Sequence, residues 1–288
     1  MALILSYIVK NDDIGKTLGN FLKEQQLSKK GVIALKHRGG EIVVDGVIRT
    51  TRYVIASGEQ VTVKFGPEPV SRSLNPVEIK IDIVYEDDYL LIVDKEAGMP
   101  VIPTGSHENS LANGVRAYYE KIGLPSTIHF VNRLDKDTSG LLVIAKYRHI
   151  HHLLTQDIKQ ITRKYYARIE GHLKKSCLID APIYRPDPTS VKRIVSPLGQ
   201  FASTSCEIVQ YEGDDTLVSC ELATGRTHQI RVHMQHIGHS IKNDPLYGSG
   251  DEFDQQLLHS YLVELVHPIT RKNLRFETEV PARFNVIA

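Results

Sequence analysis

The first 65 residues change from a helical to an alternating apolar pattern. The stretch IGKTLGNFLKEQQLSKKGVIALKHRGG has apolar positions three and four residues apart, which predicts two short helices that break at Leu27-Ser28. The next stretch, EIVVDGVIRTTRYVIASGEQVTVKF, alternates and has turn residues at Asp45-Gly46 and Ser57-Gly58. We therefore predict two or three small strands after the helix pair.

Strands in neighbouring pairs dominate the remainder of the chain. The stretch IKIDIVYEDDYLLIVDKEAGMPV predicts two strands around an acidic turn, and further strands are expected at LLVIAK, RKYYARIEG, STSCEIVQYEG and TLVSCELAT. Helical spacing is found in SLANGVRAYYEKIG and YRHIHHLLTQDIKQ. Paired strands with few helices favour an α+β fold over a doubly wound parallel sheet.

The segment GPEPVSRSLNP separates the two patterns. It holds three prolines and two serines and lacks apolar periodicity, which is typical of a linker. The sequence thus predicts a small α/β module at 1–66, a linker at 67–76 and a larger domain at 77–288.

Composition is that of a soluble globular protein, with 41% hydrophobic and 24% charged residues among 288. Without an apolar run of about 18 residues, and with an amino terminus unlike a signal peptide, we expect a cytoplasmic protein that does not bind membranes. Three cysteines without CxxC spacing suggest neither a disulfide framework nor a thiolate zinc site, so we expect them reduced and mostly buried.

Positive charge is concentrated in the first module. Residues 1–65 carry ten lysines and arginines against six acids, although the whole chain has a net charge of only +1. A basic module suits contact with an anionic partner such as RNA, because lysine and arginine neutralise phosphates without reading sequence.

The stretch VNRLDKDTSG places four charged residues directly before an apolar strand. Such a loop has an ordinary explanation, because Asp, Thr, Ser and Gly are turn formers. On this explanation Asp137 is a turn residue, and Thr138 and Ser139 brace the loop by bonding to backbone. The loop by itself does not decide between a turn and a catalytic site.

Four histidines, His228, His233, His236 and His239, lie close together in ATGRTHQIRVHMQHIGHSIKNDPLYG. Zinc takes such ligands, and Asp244 is nearby, so a metal-dependent hydrolase is one alternative. On one helix, however, His233 and His239 would point about 120° apart, and the HExxH pattern is absent. We therefore expect no metal site.

Taken together, the motifs NRLDKDTSGLLVIAK, RKYYARIEG and ATGRTHQIRVHMQHIGHSIKNDPLYG, followed by LLHSYLVELVHPIT, resemble those of RNA pseudouridine synthases of the RluA-like family. The first module resembles the S-four-like RNA-binding module. The resemblance implies a pseudouridine synthase fold with a mixed, largely antiparallel central sheet and flanking helices, and isomerisation of uridine without a cofactor. It also implies a monomer that acts on structured RNA, most of all large-subunit ribosomal RNA, with transfer RNA as an alternative.

The resemblance implies three catalytic residues. Asp135 matches the family's catalytic aspartate, and Tyr165 matches its active-site tyrosine. A buried carboxylate needs a cation to stay ionised, and Arg231 matches the residue that supplies it, in a bidentate pair. Three chemical routes stay open: attack of Asp135 on the ribose, attack on carbon 6 of the base, or proton abstraction to give a glycal.

The remaining implied contacts are with RNA. Arg133 falls where a side chain would fill the gap left by an extruded uridine, and Ile230 packs against the base. Arg226 and Asn132 complete the expected substrate-binding set. In the first module, phosphate contacts are expected at Lys29, Lys30, Lys36 and Arg38.

Three positions depart from the family pattern. Asn132 stands where many members have histidine, KEAG at Lys95–Gly98 replaces a proline-containing form, and Ile102 replaces a frequent histidine. We expect activity to survive the change at Asn132, with altered contacts in the loop. The other two departures leave the catalytic aspartate in place and are candidate marks of a distinct substrate subgroup. A non-catalytic RNA-binding or ribosome-assembly factor on the same fold is the other alternative, although such a factor would be expected to lose Asp135 or its cation.

Overall fold

The computed structural model describes residues 2–27, 29–70, 74–104, 109–156, 160–251 and 254–284. The chain divides into two compact units, Met1–Ser73 with Tyr118–Thr127 and Leu74–Ala117 with Ile128–Ala288. The predicted boundaries at 66 and 76 stay predictions. The predicted helix break at Ser28, linker residues 71–73 and helix residues 157–159 lie outside the described residues.

The first unit packs two helices on a four-stranded antiparallel sheet. Its elements are β1 (Ile4–Ile8), α1 (Leu18–Glu24), α2 (Lys29–His37), β2 (Glu41–Val44), β3 (Val47–Ile48) and β4 (Gln60–Lys64), with strand order β1-β4-β2-β3. The predicted helix pair and small strands are confirmed, and β1 is an additional strand. The apolar helix positions, such as Phe21 and Leu35, pack with Ile42 and Val63 of the sheet in one core.

A later segment of the chain belongs to this first unit. The hydroxyl of Ser126 donates a hydrogen bond to the Glu68 carboxylate, and the hydroxyl of Thr127 donates one to the Pro69 carbonyl. Residues 118–127 are therefore grouped with a part of the chain about 50 residues earlier. Local sequence patterns do not reveal contacts over such a separation.

The second unit is built on a ten-stranded sheet. Its elements are β5 (Asp82–Glu86), β6 (Leu90–Lys95), β7 (His129–Phe130), β8 (Ser139–Ala145), α4 (Arg148–Thr155), β9 (Thr162–Glu170), β10 (Cys177–Asp180), β11 (Ile183–Tyr184), β12 (Ile194–Val195), β13 (Ser203–Glu212), β14 (Asp215–Leu222), α5 (Gln229–His236), β15 (Leu258–Val266) and β16 (Asn273–Glu277). Helix α3 (Leu111–Lys121) begins in this unit, and its residues from Tyr118 onward are grouped with the first. The main strand order is β10-β13-β14-β9-β15-β8-β6-β5; β16 adds to β15 and β7 to β8, while β11 and β12 form a separate pair. Among the described strand pairs of this sheet, only β8 with β15 is parallel. The sheet is mixed and largely antiparallel, so the predicted α+β class is confirmed.

The parallel junction between β8 and β15 requires a glycine. Gly140 has φ +109°, and a Cβ placed on it would lie 2.3 Å from the Ser260 carbonyl oxygen. A side chain therefore has neither the backbone conformation nor the space that it needs here. Gly140 lets the first residues of β8, directly after the charged loop, approach β15 closely.

One row of residues crosses the centre of this sheet. Lys95 of β6 lies opposite Gly140, Gly140 lies opposite Ser260, and Ser260 lies opposite Tyr165 of β9. Residues directly opposite each other on neighbouring strands share a face. The register thereby brings three distant parts of the sequence together beside the loop that precedes β8.

Over the described ranges, no helix combines the length and the apolar character needed to cross a bilayer.

Candidate active site

The charged loop at 131–138 connects β7 to β8 and carries Asp135 at its turn. The amide of Thr138 donates a hydrogen bond to the Asp135 carbonyl oxygen at 3.2 Å. Asn132 is buried, accepts from the amide of Val143 at 2.8 Å and donates to the carbonyl of Leu141 at 3.4 Å. Asn132 thus fixes the start of the loop to the strand that follows it.

The hydroxyls of Thr138 and Ser139 hold the end of the loop through side chains, not through backbone as we had expected. Gln256 donates to Thr138 Oγ1 at 3.1 Å, and Arg283 donates to Ser139 Oγ at 2.9 Å. Ser139 Oγ also lies 2.8 Å from Nδ1 of His259, whose pKa is lowered to about 4 by burial. These partners lie more than 100 residues away, so local sequence patterns do not reveal them.

Arg231 connects the loop to α5. Its Nη1 donates to Asp135 Oδ2 at 2.8 Å, so the predicted pairing of Arg231 with Asp135 is present. The bidentate pair is with Asp244 instead: Nε lies 2.7 Å from Oδ2 and Nη2 lies 2.9 Å from Oδ1. The expected bidentate contact with Asp135 is therefore wrong, because two of the three guanidinium nitrogens face the other carboxylate.

Asp244 is fully buried and accepts four hydrogen bonds, two of them from the amides of Leu246 and Tyr247. Burial acts to raise its pKa, but Arg231 and the amides lower it overall. The Tyr247 ring lies 5.1 Å from the Arg231 guanidinium carbon, within reach of a cation–π contact. Asp244 and Tyr247 thereby fix the direction in which Arg231 points toward Asp135.

Tyr165 comes from the centre of β9, on the sheet face defined above. It is 5% exposed, and burial raises the pKa of its phenol, with the Asp135 charge adding to the increase. The phenol is therefore protonated near neutral pH. It offers the site an aromatic face and a protonated hydroxyl that can donate a hydrogen bond.

Lys95 is a buried lysine directly behind the loop. Its ammonium group donates to the carbonyl oxygens of Glu96, Met99 and Lys136 at 2.8–2.9 Å. Burial lowers the pKa of Lys95 to about 7, and the carboxylates of Asp137 and Asp135 act in the opposite direction. Lys95 therefore joins the KEAG turn, which contains the departure from the family pattern at Glu96, to the backbone next to Asp135.

A pocket of about 360 Å³, including its open mouth, gathers most of the predicted substrate and catalytic residues. Its lining is Arg133, Leu134, Asp135, Thr138, Tyr165, Leu222, Arg226, His228, Gln229, Ile230, Arg231 and Leu258. Arg133 and Arg226 are exposed at this site, and Ile230 is buried. Asn132 is not among the lining residues and serves the loop instead.

The basic residues predicted to contact phosphates lie in the first unit. Lys29, Lys30 and Lys36 are on α2 and Arg38 follows it, and all four are exposed. Their predicted role stays a prediction.

The clustered histidines do not share one helix, because α5 ends at His236 and Gly238 follows with φ +83°. His233 is buried, with its ring nitrogens 2.9 Å from Thr204 Oγ1 and the Ala181 carbonyl oxygen. His239 Nδ1 lies 2.9 Å from the Glu170 carbonyl oxygen. Within the described residues, no three His, Cys, Asp or Glu side chains are arranged to hold a metal ion.

The site contains four residues whose roles were missed from sequence. Asp244 was considered only as a metal ligand, His228 only as a member of the histidine cluster, and Lys95 only as part of an altered motif. Tyr247, the tyrosine of DPLYG, has no role predicted from the sequence. A buried charged residue inside a long motif was the available signal for Asp244, but burial itself is not visible in a sequence.

Comparisons with known proteins identify the family of this chain. A family model described as RNA pseudouridylate synthase matches residues 89–236, which include the charged loop, β9 and α5. The chain belongs to the RNA pseudouridylate synthase family and is an RNA pseudouridine synthase. Its relatives show it to be of the RluA/RluD type.

Two curated relatives illustrate the similarity. The uncharacterized RNA pseudouridine synthase YjbO of Bacillus subtilis is 37% identical over 270 residues, which are 92% of this chain and 95% of the relative. Ribosomal large subunit pseudouridine synthase D of Escherichia coli is 34% identical over 245 residues, 79% of this chain and 75% of the relative. Among solved structures, human RNA pseudouridylate synthase domain containing 4 has a TM-score of 0.58 at 21% identity over 70% of this chain and 90% of that chain. This last likeness supports the fold.

Proposed function

We propose that this enzyme isomerises specific uridines of large-subunit ribosomal RNA, and that Asp135 is the catalytic carboxylate. One observation carries the proposal: Asp135 lines the pocket and is paired at 2.8 Å with an arginine that a second, buried carboxylate holds in place. A carboxylate held in this way is oriented before substrate arrives.

The reaction breaks the bond from ribose C1′ to N1 of uracil, turns the base and joins C1′ to C5. An ionised carboxylate is suited to act on the sugar or on the base ring in such a step. The side chain of Asp135 is 28% exposed, whereas that of Arg231 is 7% exposed. The carboxylate thus faces the substrate, and its partner is kept behind it.

The neighbouring side chains suit a uridine that has left its helix. Turning a base out of an RNA stack costs a few kcal/mol, which contacts in the pocket and in the vacated position offset. Tyr165 and Ile230 supply apolar surface for the uracil ring, and Arg133 is exposed at the mouth, where it would occupy the gap in the RNA. Arg226 adds positive charge for the adjacent backbone.

Ribosomal RNA is the substrate that the other observations favour. Relatives of similar length bear the name ribosomal large subunit pseudouridine synthase D. In the first unit, the exposed cations Lys29, Lys30, Lys36 and Arg38 suit phosphate contacts with a large folded RNA, as in an S-four-like module.

The test is carbodiimide mapping of pseudouridine across total ribosomal and transfer RNA. Cells with the intact gene are compared with a deletion, an Asp135→Asn allele and an Asp88→Asn allele, in which an exposed aspartate loses the same charge. We expect a site in large-subunit RNA that is missing from the deletion and from Asp135→Asn and present in Asp88→Asn. A missing site in transfer RNA would replace the substrate, and pseudouridine formed by Asp135→Asn would refute the role of Asp135. If the deletion strain loses no site, a non-catalytic binding factor is favoured.

A further inference from the structure

His228 has an unusual backbone conformation beside the reacting carboxylate. It directly precedes α5 with φ +57° and ψ +24°, in the left-handed region, and its side chain makes no hydrogen bond that caps the helix. This conformation is strained for a residue with a Cβ, and such strain persists where surrounding contacts hold the residue. Its side chain is 10% exposed and lines the same pocket as Asp135.

The ring of His228 is held from one side. Its Nδ1 lies 2.9 Å from the Tyr247 hydroxyl, and that hydroxyl accepts a hydrogen bond from the Arg193 amide at 2.8 Å. A tyrosine oxygen can accept two hydrogen bonds, so it accommodates a proton on Nδ1. The other nitrogen, Nε2, lies 3.9 Å from Asp135 Oδ2. This separation is longer than a hydrogen bond, and a proton on Nδ1 leaves Nε2 as the unprotonated nitrogen of the neutral ring.

We propose that His228 carries the proton that moves from C5 to N1 of the uracil during isomerisation. The proposal rests on the proposed function and assigns a second catalytic residue to the same site. The imidazole presents Nε2 as a free acceptor at the pocket, beside a carboxylate that stabilises the imidazolium once it forms.

The proton balance of the reaction requires such a group. After C1′ has joined C5, that carbon still bears its hydrogen and N1 has none. Nε2 takes the proton from C5, and the electron pair of the C–H bond restores the C5–C6 double bond while the C6–N1 double bond becomes a single bond. The imidazolium then returns its proton to N1, so the enzyme and the total charge are unchanged.

The other titratable groups of the pocket suit this step less well. Arg133, Arg226 and Arg231 are cations, Asp135 is paired with Arg231, and the phenol of Tyr165 is kept protonated by burial. Burial lowers the pKa of His228 and keeps the ring neutral at pH 7. The charges that face it are Asp135 and Asp244, which raise that pKa, and Arg231 and Arg193, which lower it.

The test compares His228→Gln with wild type on transcripts of the RNA region found by mapping, made with uridine, 5-deuterouridine or 5-fluorouridine. His236→Gln, an exposed histidine on the same helix, is the matched control. We expect His228→Gln to convert uridine about 10²–10⁴-fold more slowly, the range for loss of a general acid–base group. We also expect 5-deuterouridine to react more slowly than uridine in this variant, because removal of the C5 proton has become limiting.

5-Fluorouridine separates a chemical role from a structural one. Its C5 has no proton to lose, so wild type and His228→Gln should consume it at equal rates. Equal losses on uridine and 5-fluorouridine, or full activity of His228→Gln on uridine, would overturn the proposal. If His228→Gln does not fold, Tyr247→Phe replaces it, because this change releases Nδ1 of His228 and keeps an aromatic ring on Arg231. Tyr247→Phe should convert uridine more slowly than wild type, with a smaller loss than that expected for His228→Gln, and should consume 5-fluorouridine at the wild-type rate. A wild type that forms no pseudouridine would instead refute the proposed function.

Discussion

Replacing Asp244 with asparagine tests how the site keeps Arg231 in place. Asp244 is fully buried and binds two guanidinium nitrogens of Arg231 at 2.7 and 2.9 Å. Asparagine has nearly the same shape, but it removes the charge and turns one acceptor into a donor that faces the guanidinium. The substitution therefore changes the electrostatics of the pair and leaves the packing almost unaltered.

The expected loss is about 3 kcal/mol of unfolding free energy, because breaking a buried ion pair typically costs 3–5 kcal/mol. We expect the lower end of this range, since Arg231 keeps Asp135 at 2.8 Å. The pKa of Asp244 is lowered in the folded protein, so its stabilising effect is present above the ordinary value of 3.8 and is lost as the pH falls through the folded pKa. The difference between wild type and Asp244→Asn should therefore shrink in acid.

Hydrogen exchange read by mass spectrometry over the second unit is the assay, since two compact units need not unfold in one transition. Asp214→Asn, at an exposed turn, is the control. The double variant Arg231→Met with Asp244→Asn should recover part of the stability without recovering pseudouridine formation. No unpaired charge stays buried, and the asparagine oxygen still accepts from the amides of Leu246 and Tyr247, whereas Asp135 loses its cation. If Asp244→Asn kept both wild-type protection and wild-type activity, the role given to this ion pair would be refuted.

Three further predictions concern the residues around the loop. Gly140→Ala should lose about 3 kcal/mol of stability in the second unit, because its Cβ would meet the Ser260 carbonyl at 2.3 Å on a positive φ; unchanged hydrogen exchange of β8 would contradict this. Tyr165→Phe should keep RNA binding and most of the activity, since the buried phenol serves mainly as an aromatic face. Single-turnover rates check this, and a large loss of kcat in Tyr165→Phe would show that the hydroxyl takes part in the reaction. The 13Cε resonance of Lys95, assigned with Lys95→Arg, should titrate near pH 7, because burial lowers the pKa of this lysine from 10.5 to about 7. Between those two values the unfolded chain binds the proton and the folded chain does not, so the unfolding free energy rises by about 1.4 kcal/mol per pH unit. A titration midpoint near 10 would show that burial does not control the pKa of Lys95.

Local patterns were sufficient for the elements and for the motifs. The helix pair of the first unit, the strand that follows the charged loop and the long strands β9, β13 and β14 are where the apolar periodicity predicts them. The motifs also named Asp135, Tyr165 and Arg231, which the fold brings to one pocket. These features depend on residues close together in the chain, so a sequence reports them directly.

The partners of those residues were decided by tertiary structure. The single parallel contact between β8 and β15, the register from Lys95 to Tyr165 and the grouping of residues 118–127 with the first unit all join distant segments. The burial that makes Asp244 the bidentate partner of Arg231 likewise exists only once the chain has packed.

The sequence by itself determined the class of protein, the loop that carries the carboxylate and the cation that faces it. Only the folded chain decided how that cation is aimed, what holds the loop from behind and which histidine reaches the pocket. The physical reason is that periodicity and motifs are local properties, whereas burial, hydrogen-bond partners and the pKa of a side chain depend on what lies across a sheet or beyond a turn.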